Sequence, residues 1–408
     1  MGCKSKLVFL FCLAIVASIP WIASNVLVEE TLSRKTQKHV KHPTEDFTCA
    51  PSIPIEKRTI IMVSLESRFV TWEDHLRGVI KGGEAYWSAC IHYILGDLGF
   101  HVLVTNEKLD PMDENMRQLD RGDIHRVITD TSSGGNFKSG ENSGDIWSMP
   151  ELLCKVRQMV WWPVRKRPRN EFSILPFRYD DISITSAHFV PFFVHQSVTD
   201  PVTELIPRSR RAAFLFLKRS SDLVPEVLVA LHDAGFELHL QCITNTSFDP
   251  IRQKSPRLDE VYGNFTFHPF YKTPQEFADN ILKKVAMVIG FVDPVDSPTP
   301  LEALYHGAAF LNPSSDPWDM HRDGLILRTT QHKALRNLGP PYVYNYNATY
   351  NHHDVEPMVR SIVENAELVA AAEPFITYTP ADYSLDAVRS FVCHNIIEYD
   401  PCQIPGQT

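Results

Sequence analysis

The length and composition of this chain are those of an ordinary folded protein. Its 408 residues are enough for two domains with complete cores, and a content of 44% hydrophobic and 22% charged residues excludes a disordered chain. The formal net charge of −9 leaves no basic stripe that would hold a phosphate backbone, so nucleic acid is excluded as an expected partner.

The N-terminus carries the sharpest change in composition. Residues 1–6 form a short basic head, and residues 7–28 are an uncharged apolar run, about as long as the roughly 20 residues that cross a bilayer as a helix. We interpret residues 7–28 as an uncleaved signal anchor, because the run exceeds the apolar part of a usual signal peptide. A cleavable signal peptide is the alternative, since small residues lie near Ser18 and Ser24. Both interpretations deliver the rest of the chain to the secretory lumen.

Two further features agree with a lumenal body. Asn245, Asn264 and Asn347 each begin an Asn-X-Ser/Thr triplet, the acceptor for N-glycosylation. Six of the eight cysteines lie beyond the anchor and would allow disulfides in any of 15 pairings. The cysteine spacings fit no zinc site, so we expect no metal there.

The segment after the anchor, residues 29–58, is polar, rich in Lys and dotted with Pro, and is expected to form a stem. An apolar run at 59–64 then predicts a buried strand, residues 85–98 predict a helix, and residues 100–105 predict a second strand. This order indicates a parallel sheet covered by helices. The Gly- and Ser-rich residues 129–149 predict a long surface loop.

A second unit with the same pattern begins near Pro207. We predict strands at 212–218, 236–243, 265–270, 285–290, 308–312 and 342–345, and helices at 225–235, 273–284, 300–306, 354–372 and 385–399.

Two successive β/α units predict an α/β protein with two Rossmann-like domains that face each other across a cleft. We place these domains at 59–205 and 206–380, and a C-terminal helix and tail at 381–408. Nucleotides bind at the carboxyl ends of the strands in such domains.

The segment from Gly290 to Pro313 is the most informative for chemistry. A Pro-rich loop leads into a short helix that begins near Thr299, and a helix N-terminus offers N–H groups and partial positive charge to a diphosphate. Glu302 in the first turn would bind the hydroxyls of a ribose. The alternative is a capping box, in which Thr299 caps the helix and Glu302 bonds back to it.

Two sets of residues carry a resemblance to a known family. Pro300-Leu-Glu-Ala303, Gly307 and Ala309-Phe-Leu-Asn-Pro313 form one set, and Gly83-Glu84 with Trp87-Ser88 and Leu98-Gly99 form the other. Both resemble the alpha-1,6-mannosylglycoprotein 6-beta-N-acetylglucosaminyltransferases of glycosyltransferase family 18.

The resemblance implies a GT-B fold and an inverting, metal-independent transfer of N-acetylglucosamine from UDP-GlcNAc to an N-glycan. It places the general base at Glu84, because such a transfer needs a carboxylate that takes the proton of the attacking hydroxyl. The alternative for Glu84 is a carboxylate that merely stabilises a first helical turn. The residues expected to bind the donor are Lys218, His268, Phe270, Ser297, Thr299, Pro300, Leu301 and Glu302.

The implied location is the Golgi membrane, as a single-pass type II protein with its body in the lumen. The implied partners are the membrane, a UDP-sugar donor and an N-glycan acceptor on glycoproteins. A transferase of the same fold with another UDP-sugar or acceptor, and a catalytically silent glycan-binding relative, are the alternatives.

Overall fold

The computed structural model describes residues 53–54, 57–64, 69–79, 82–105, 123–130, 154–159, 173–176, 188–199, 208–217, 223–242, 252, 255–271, 273–291, 297–314, 321–322, 325–327, 332–351, 354–372 and 377–399. No helix among these residues is long and apolar enough to cross a membrane. The predicted anchor at 7–28 and most of the predicted stem lie outside the described residues and stay predictions.

Within the described chain, six parallel strands form the first sheet, in the order β2-β1-β3-β4-β5-β6. The elements of this half are β1 (Thr59–Val63), α1 (Trp72–Leu76), α2 (Gly83–Asp97), β2 (His101–Thr105), β3 (Ile124–Thr129), β4 (Val156–Met159), β5 (Ser173–Leu175), β6 (His188–Phe189) and α3 (Gln196–Thr199). Every residue of β1 is buried, as expected for a strand whose two faces are both covered.

The second sheet, counted over the same described ranges, also has six parallel strands, in the order β14-β11-β10-β7-β8-β9. Its half of the chain contains β7 (Ala212–Leu217), α4 (Pro225–Asp233), β8 (Glu237–Cys242), α5 (Pro256–Val261), β9 (Thr266–Phe267), α6 (Pro274–Phe277), β10 (Met287–Ile289), α7 (Thr299–Tyr305), β11 (Ala309–Ser314), β12 (His321–Arg322), β13 (Leu325–Leu327), β14 (Val343–Asn347), β15 (Thr349–Asn351), α8 (Glu356–Ala371) and α9 (Leu385–Val392). Strands β12, β13 and β15 form a small antiparallel sheet.

The two halves share one hydrophobic cluster. Ile60 and Trp87 of the first half lie in the same cluster as Phe214 and Leu301 of the second half, and all four side chains are buried. A second cluster lies within the second half alone, where α4 and α8 pack together. Residues Thr48–Thr408 accordingly form one compact unit, because apolar side chains of both halves are removed from water together.

The C-terminal segment returns to the first sheet. Helix α9 continues as a π turn, Cys393–Glu398, whose backbone carbonyls accept hydrogen bonds from arginines of β3 and β4. Arg126 Nε donates to Ile396 O at 2.8 Å, and Arg157 Nε and Nη2 donate to Asn395 O at 2.9 and 2.6 Å. The predicted C-terminal helix is therefore part of the first half's packing, although it follows the second half in the chain.

The predicted α/β fold with two parallel sheets is confirmed, and most predicted strands and helices are found within a few residues. The sequence analysis missed α1, α3 and α5, strands β3 to β6 and the antiparallel strands β12, β13 and β15, and β9 is shorter than the predicted strand at 265–270. The predicted domain boundary at 205–206 and most of the predicted loop at 129–149 lie outside the described residues. The two predicted domains and the cleft between them stay predictions.

Arg157→Ala is expected to loosen the C-terminal segment from the first sheet. Arg157 is fully buried, its guanidinium lies 4.3 Å from the centre of the Tyr399 ring, and burial lowers its pKa to about 9. Its loss leaves the carbonyl of Asn395 without its charged donor, which costs about 2–3 kcal/mol. Urea unfolding measures this loss of stability. Arg257→Ala, which removes an exposed arginine paired with Asp233, serves as the control and should leave the unfolding midpoint nearly unchanged. Equal effects of both variants would contradict the assignment.

Candidate functional site

The second sheet has a topological switch point between β7 and β10. The chain leaves β7 towards β8 on one side, and β10 lies on the other side of β7. Ligands of open parallel sheets bind outside the carboxyl ends of the strands at such a point. Helix α7 follows β10, so Ser297, Thr299 and Glu302 all lie in the segment that leaves the switch point.

The start of α7 is not a capping box, so that alternative from the sequence analysis is wrong. The N-cap residue is Pro298, with helical φ and ψ of −59° and −30°, and no side chain caps the helix. The Ser297 hydroxyl instead accepts a bond from the Thr299 N–H at 3.3 Å, and the Glu302 N–H bonds to Pro298 O at 3.1 Å. The Glu302 carboxyl is therefore not used to cap its own helix.

Glu302 reaches towards the other half of the protein. Its side chain is buried, and its Oε1 accepts a hydrogen bond from Nε2 of Gln196 at 3.1 Å. Burial raises the pKa of Glu302 to about 7, and the bond from Gln196 opposes this rise. A carboxyl with this pKa changes its charge near neutral pH, which is a common property of functional sites.

Helix α2, which carries Glu84, is attached to the segment that leads to Gln196. Tyr86 Oη accepts a bond from the His195 N–H at 3.1 Å, and Trp87 Nε1 donates to Val190 O at 2.8 Å. Cys90 Sγ donates to Phe193 O at 3.3 Å.

The charge of Glu302 affects the pKa of two side chains on α2. Burial raises the pKa of the Tyr86 hydroxyl well above its usual value, and the proximity of Glu302 raises it further. The Cys90 thiol is affected in the same direction, first by burial and also by Glu302. The structure thus brings the helix of the predicted base and the helix of the predicted donor site together at Gln196.

Glu84 itself lies in the first turn of α2 and is half-buried. The helix begins at Gly82, whose φ of 133° is a conformation that side chains rarely adopt. A Cβ atom at Gly82 would lie 3.7 Å from Oε2 of Glu84, so the carboxylate lies beside the backbone of the preceding turn. The catalytic role of Glu84 stays a prediction.

Two buried histidines lie beside Tyr86. The rings of His75 and His195 are 5.1 Å apart, and the rings of Tyr86 and His195 are 4.8 Å apart. Among the described residues, no group bonds to the ring nitrogens of either histidine. Burial lowers the pKa of His75 to about 4 and that of His195 well below its usual value, so both rings are neutral at pH 7.

A polar pair occupies the switch point of the first sheet, between β1 and β3. Ser64 follows β1 and donates through Oγ to Oδ2 of Asp130, which follows β3, at 2.5 Å. Both side chains are fully buried. The sequence analysis missed this pair, although the polar residue that ends the apolar run at 59–64 is a signal that would have pointed to Ser64.

The remaining predicted donor residues lie apart from α7. His268 and Phe270 follow β9, the edge strand, which is two strand spacings or about 10 Å from β7. His268 bonds through Nε2 to His239 Nδ1 at 2.8 Å and through Nδ1 to the Tyr271 hydroxyl at 2.7 Å. Lys218 lies outside the described residues. His268 and Phe270 thus share the carboxyl-end face of the sheet with α7 but do not share its contacts with Gln196.

In the part of the chain that the structure describes, no group of three His, Cys, Asp or Glu side chains is arranged to hold a metal ion. Cys154 and Cys393 are disulfide-bonded, whereas Cys90 is a buried free thiol.

Comparison with known proteins finds a family match in the second half. Residues 244–403 match the model of glycosyltransferase family 18, and this range includes the motif at 300–313. The alpha-1,6-mannosylglycoprotein 6-beta-N-acetylglucosaminyltransferases A of Rattus norvegicus and Homo sapiens are each 26% identical over 136 residues. This match covers 30% of this chain and 18% of each relative, so it spans less than a fifth of the relatives' length.

Solved structures are similar to this chain at a lower sequence identity. A glycosyltransferase involved in avilamycin A biosynthesis is 13% identical with a TM-score of 0.47, and the match covers 83% of this chain and 96% of that one. A glycosyltransferase from Rickettsia africae is 10% identical with a TM-score of 0.48, and the match covers 83% of this chain and 94% of that one.

Glu302→Gln is expected to change how stability depends on pH. The folded pKa of about 7 lies above the ordinary value of 4.5, so the wild type loses stability as the pH rises from about 4.5 to about 7, and the variant does not. The variant should gain up to about 3 kcal/mol over the wild type between pH 4.5 and pH 8. Urea unfolding at several pH values measures this difference. Glu260→Gln on the surface is the control, and parallel curves for wild type and Glu302→Gln would contradict the burial argument.

Proposed function

We propose that this protein transfers N-acetylglucosamine from UDP-GlcNAc, in β1,6 linkage, to an α1,6-linked mannose of N-glycans. The observation that carries the proposal is the family 18 match over residues 244–403, which includes all of α7. The contact of Glu302 with Gln196 supports it, because it connects the proposed donor helix with the half that holds the proposed base.

In this proposal the acceptor hydroxyl attacks the anomeric carbon of the donor sugar. The bond from that carbon to the UDP oxygen breaks, UDP leaves with the electron pair, and the hydroxyl proton passes to the Glu84 carboxylate. Attack from the opposite side inverts the configuration and gives a β linkage. No metal is required if backbone N–H groups and cationic side chains stabilise the leaving diphosphate.

The proposed donor site uses the start of α7. Glu302 would accept hydrogen bonds from the ribose hydroxyls, and Ser297, Thr299, Pro300 and Leu301 would border the diphosphate. Lys218 would add positive charge, and His268 and Phe270 would lie by the uracil at the far end of the same sheet edge. Such a ribose contact requires Glu302 to be charged, which ligand binding would favour by lowering its pKa.

The test is a turnover assay with the full chain purified in detergent, UDP-GlcNAc and a trimannosyl N-glycan acceptor. UDP release and product mass are followed with and without EDTA, and UDP-glucose and UDP-galactose replace the donor in parallel. We expect acceptor-dependent transfer from UDP-GlcNAc that survives EDTA. Preference for another donor would identify a different transferase of the same fold, and glycan binding without UDP release would identify a silent relative.

Glu84→Gln is expected to abolish transfer while donor binding stays intact. Loss of a general base lowers kcat by roughly 10²- to 10⁴-fold. Glu226→Gln is a matched control, because Glu226 is also a first-turn carboxylate, in α4. If Glu84 only stabilises its helix, the two variants will show similar, small changes in kcat, and the base assignment is wrong.

Glu302→Ala is expected to weaken donor binding. Hydrogen bonds to a charged group contribute about 1.5–3 kcal/mol, so the Kd for UDP should rise roughly 10- to 150-fold. Isothermal titration with UDP measures the effect, and titration with uridine, which keeps the ribose, should show a similar ratio. An unchanged Kd in a folded variant would remove Glu302 from the donor site.

A further inference from the structure

The second sheet ends in an exposed edge strand. Strand β9 comprises Thr266 and Phe267, both exposed, and only β8 pairs with it in the described chain. The Phe267 side chain is 38% exposed, one of three large apolar side chains that are exposed among the described residues. Unpaired edge groups beside an exposed apolar side chain can pair with another chain, and proteins limit such pairing by keeping the edge strand short or by covering it.

An N-glycosylation triplet lies directly on this edge. Asn264 is the last residue of a 3₁₀ turn, Tyr262–Asn264, and β9 begins two residues later. Asn264 and Thr266 are both exposed, whereas Phe265 between them is buried. The two residues that the modification requires therefore face water, while the middle residue anchors the turn to the core.

The Asn264 amide is ordered but remains at the surface. Its Nδ2 lies 3.0 Å from Nε2 of His232, in the last turn of α4, and both side chains form an exposed contact. An amide nitrogen carries two protons, so one can be replaced by a sugar while the other still donates to the histidine. Modification is thus compatible with the observed contact.

We propose that Asn264 is N-glycosylated and that the glycan shields the β9 edge. In the step, Nδ2 of Asn264 bonds to the anomeric carbon of an oligosaccharide carried on a lipid diphosphate. The bond from that carbon to the diphosphate oxygen breaks, and the amide releases one proton. The proposal rests on delivery of the chain to the lumen by residues 1–28 and is independent of the transferase activity.

The other two Asn-X-Ser/Thr triplets have less structural support as glycosylation sites. Asn347 is the last residue of β14, its backbone N–H bonds to the Ser361 hydroxyl at 3.1 Å, and Thr349 is the first residue of β15. This triplet is held within sheet structure, whereas the Asn264 triplet begins in a turn. Asn245 lies outside the described residues.

The test is expression of the full chain in mammalian cells, with glycopeptide mass spectrometry and removal of glycans by peptide N-glycosidase F. Thr266→Ala destroys the triplet and Thr266→Ser keeps it, and both change the same exposed side chain. We expect the glycan at Asn264 in the wild type and in Thr266→Ser, and its complete loss in Thr266→Ala.

Two outcomes would overturn the proposal, and they differ in meaning. An unmodified Asn264 beside a glycan at Asn245 or Asn347 would refute this site alone. The absence of any glycan would refute it together with modification at the other two triplets. Turnover of UDP-GlcNAc, measured separately, would decide the proposed function in either case.

Shielding has its own test. Asn264→Gln is expected to lower the soluble, monomeric fraction of the secreted or detergent-extracted protein several-fold, and Phe267→Ser in the same chain should restore it. Size-exclusion chromatography measures both fractions. A glycan-free variant that stays monomeric would refute the shielding role.

Discussion

A buried hydrogen bond between Gln196 and Glu302 links α7 of the second half to the segment of the first half that holds α2. Both side chains are buried, so neither can exchange its partner for water, and loss of one would leave the other unsatisfied at a cost of about 1–3 kcal/mol. The Tyr305 hydroxyl adds a bond at 3.5 Å to the backbone carbonyl of Gln196. Because residues 190–195 also hold α2 in place, the positions of Glu84 and Glu302 are set by the same short segment.

The surroundings of this contact are unusually polar for a buried region. The ring nitrogens of His75 and His195 and the Oε1 of Gln196 lack hydrogen-bond partners among the described residues. Buried polar groups in folded proteins are nearly always satisfied, so a cluster of exceptions needs an explanation. Stability alone would favour apolar side chains here, and the raised pKa of Glu302 adds a further cost that is complete above about pH 7. Such a combination is typical of a site kept for function.

The sequence predicted the strands and helices more completely than the side-chain contacts of the candidate site. Apolar runs such as 212–218 and 285–290 predicted strands correctly, because strands with two buried faces consist almost entirely of apolar residues. The motif at 300–313 located α7 to within one residue. Strands β4, β5 and β6 have two to four residues each, too short for any periodicity to be read. Gln196 could not be found because its importance lies in a partner 106 residues away, and no local pattern encodes such a pairing.

The charges at the two switch points favour one assignment of substrates over the other. At the first switch point Asp130 follows β3 and is buried against Ser64, and Glu84 lies at the start of α2, which follows β1 in the chain. Two carboxylates would repel a diphosphate but suit an uncharged sugar hydroxyl that must lose a proton. At the second switch point the carboxyl is Glu302, whose pKa of about 7 lets it be neutral while an anion approaches. These charges favour the nucleotide at the second sheet and the acceptor at the first, in agreement with the proposed sites.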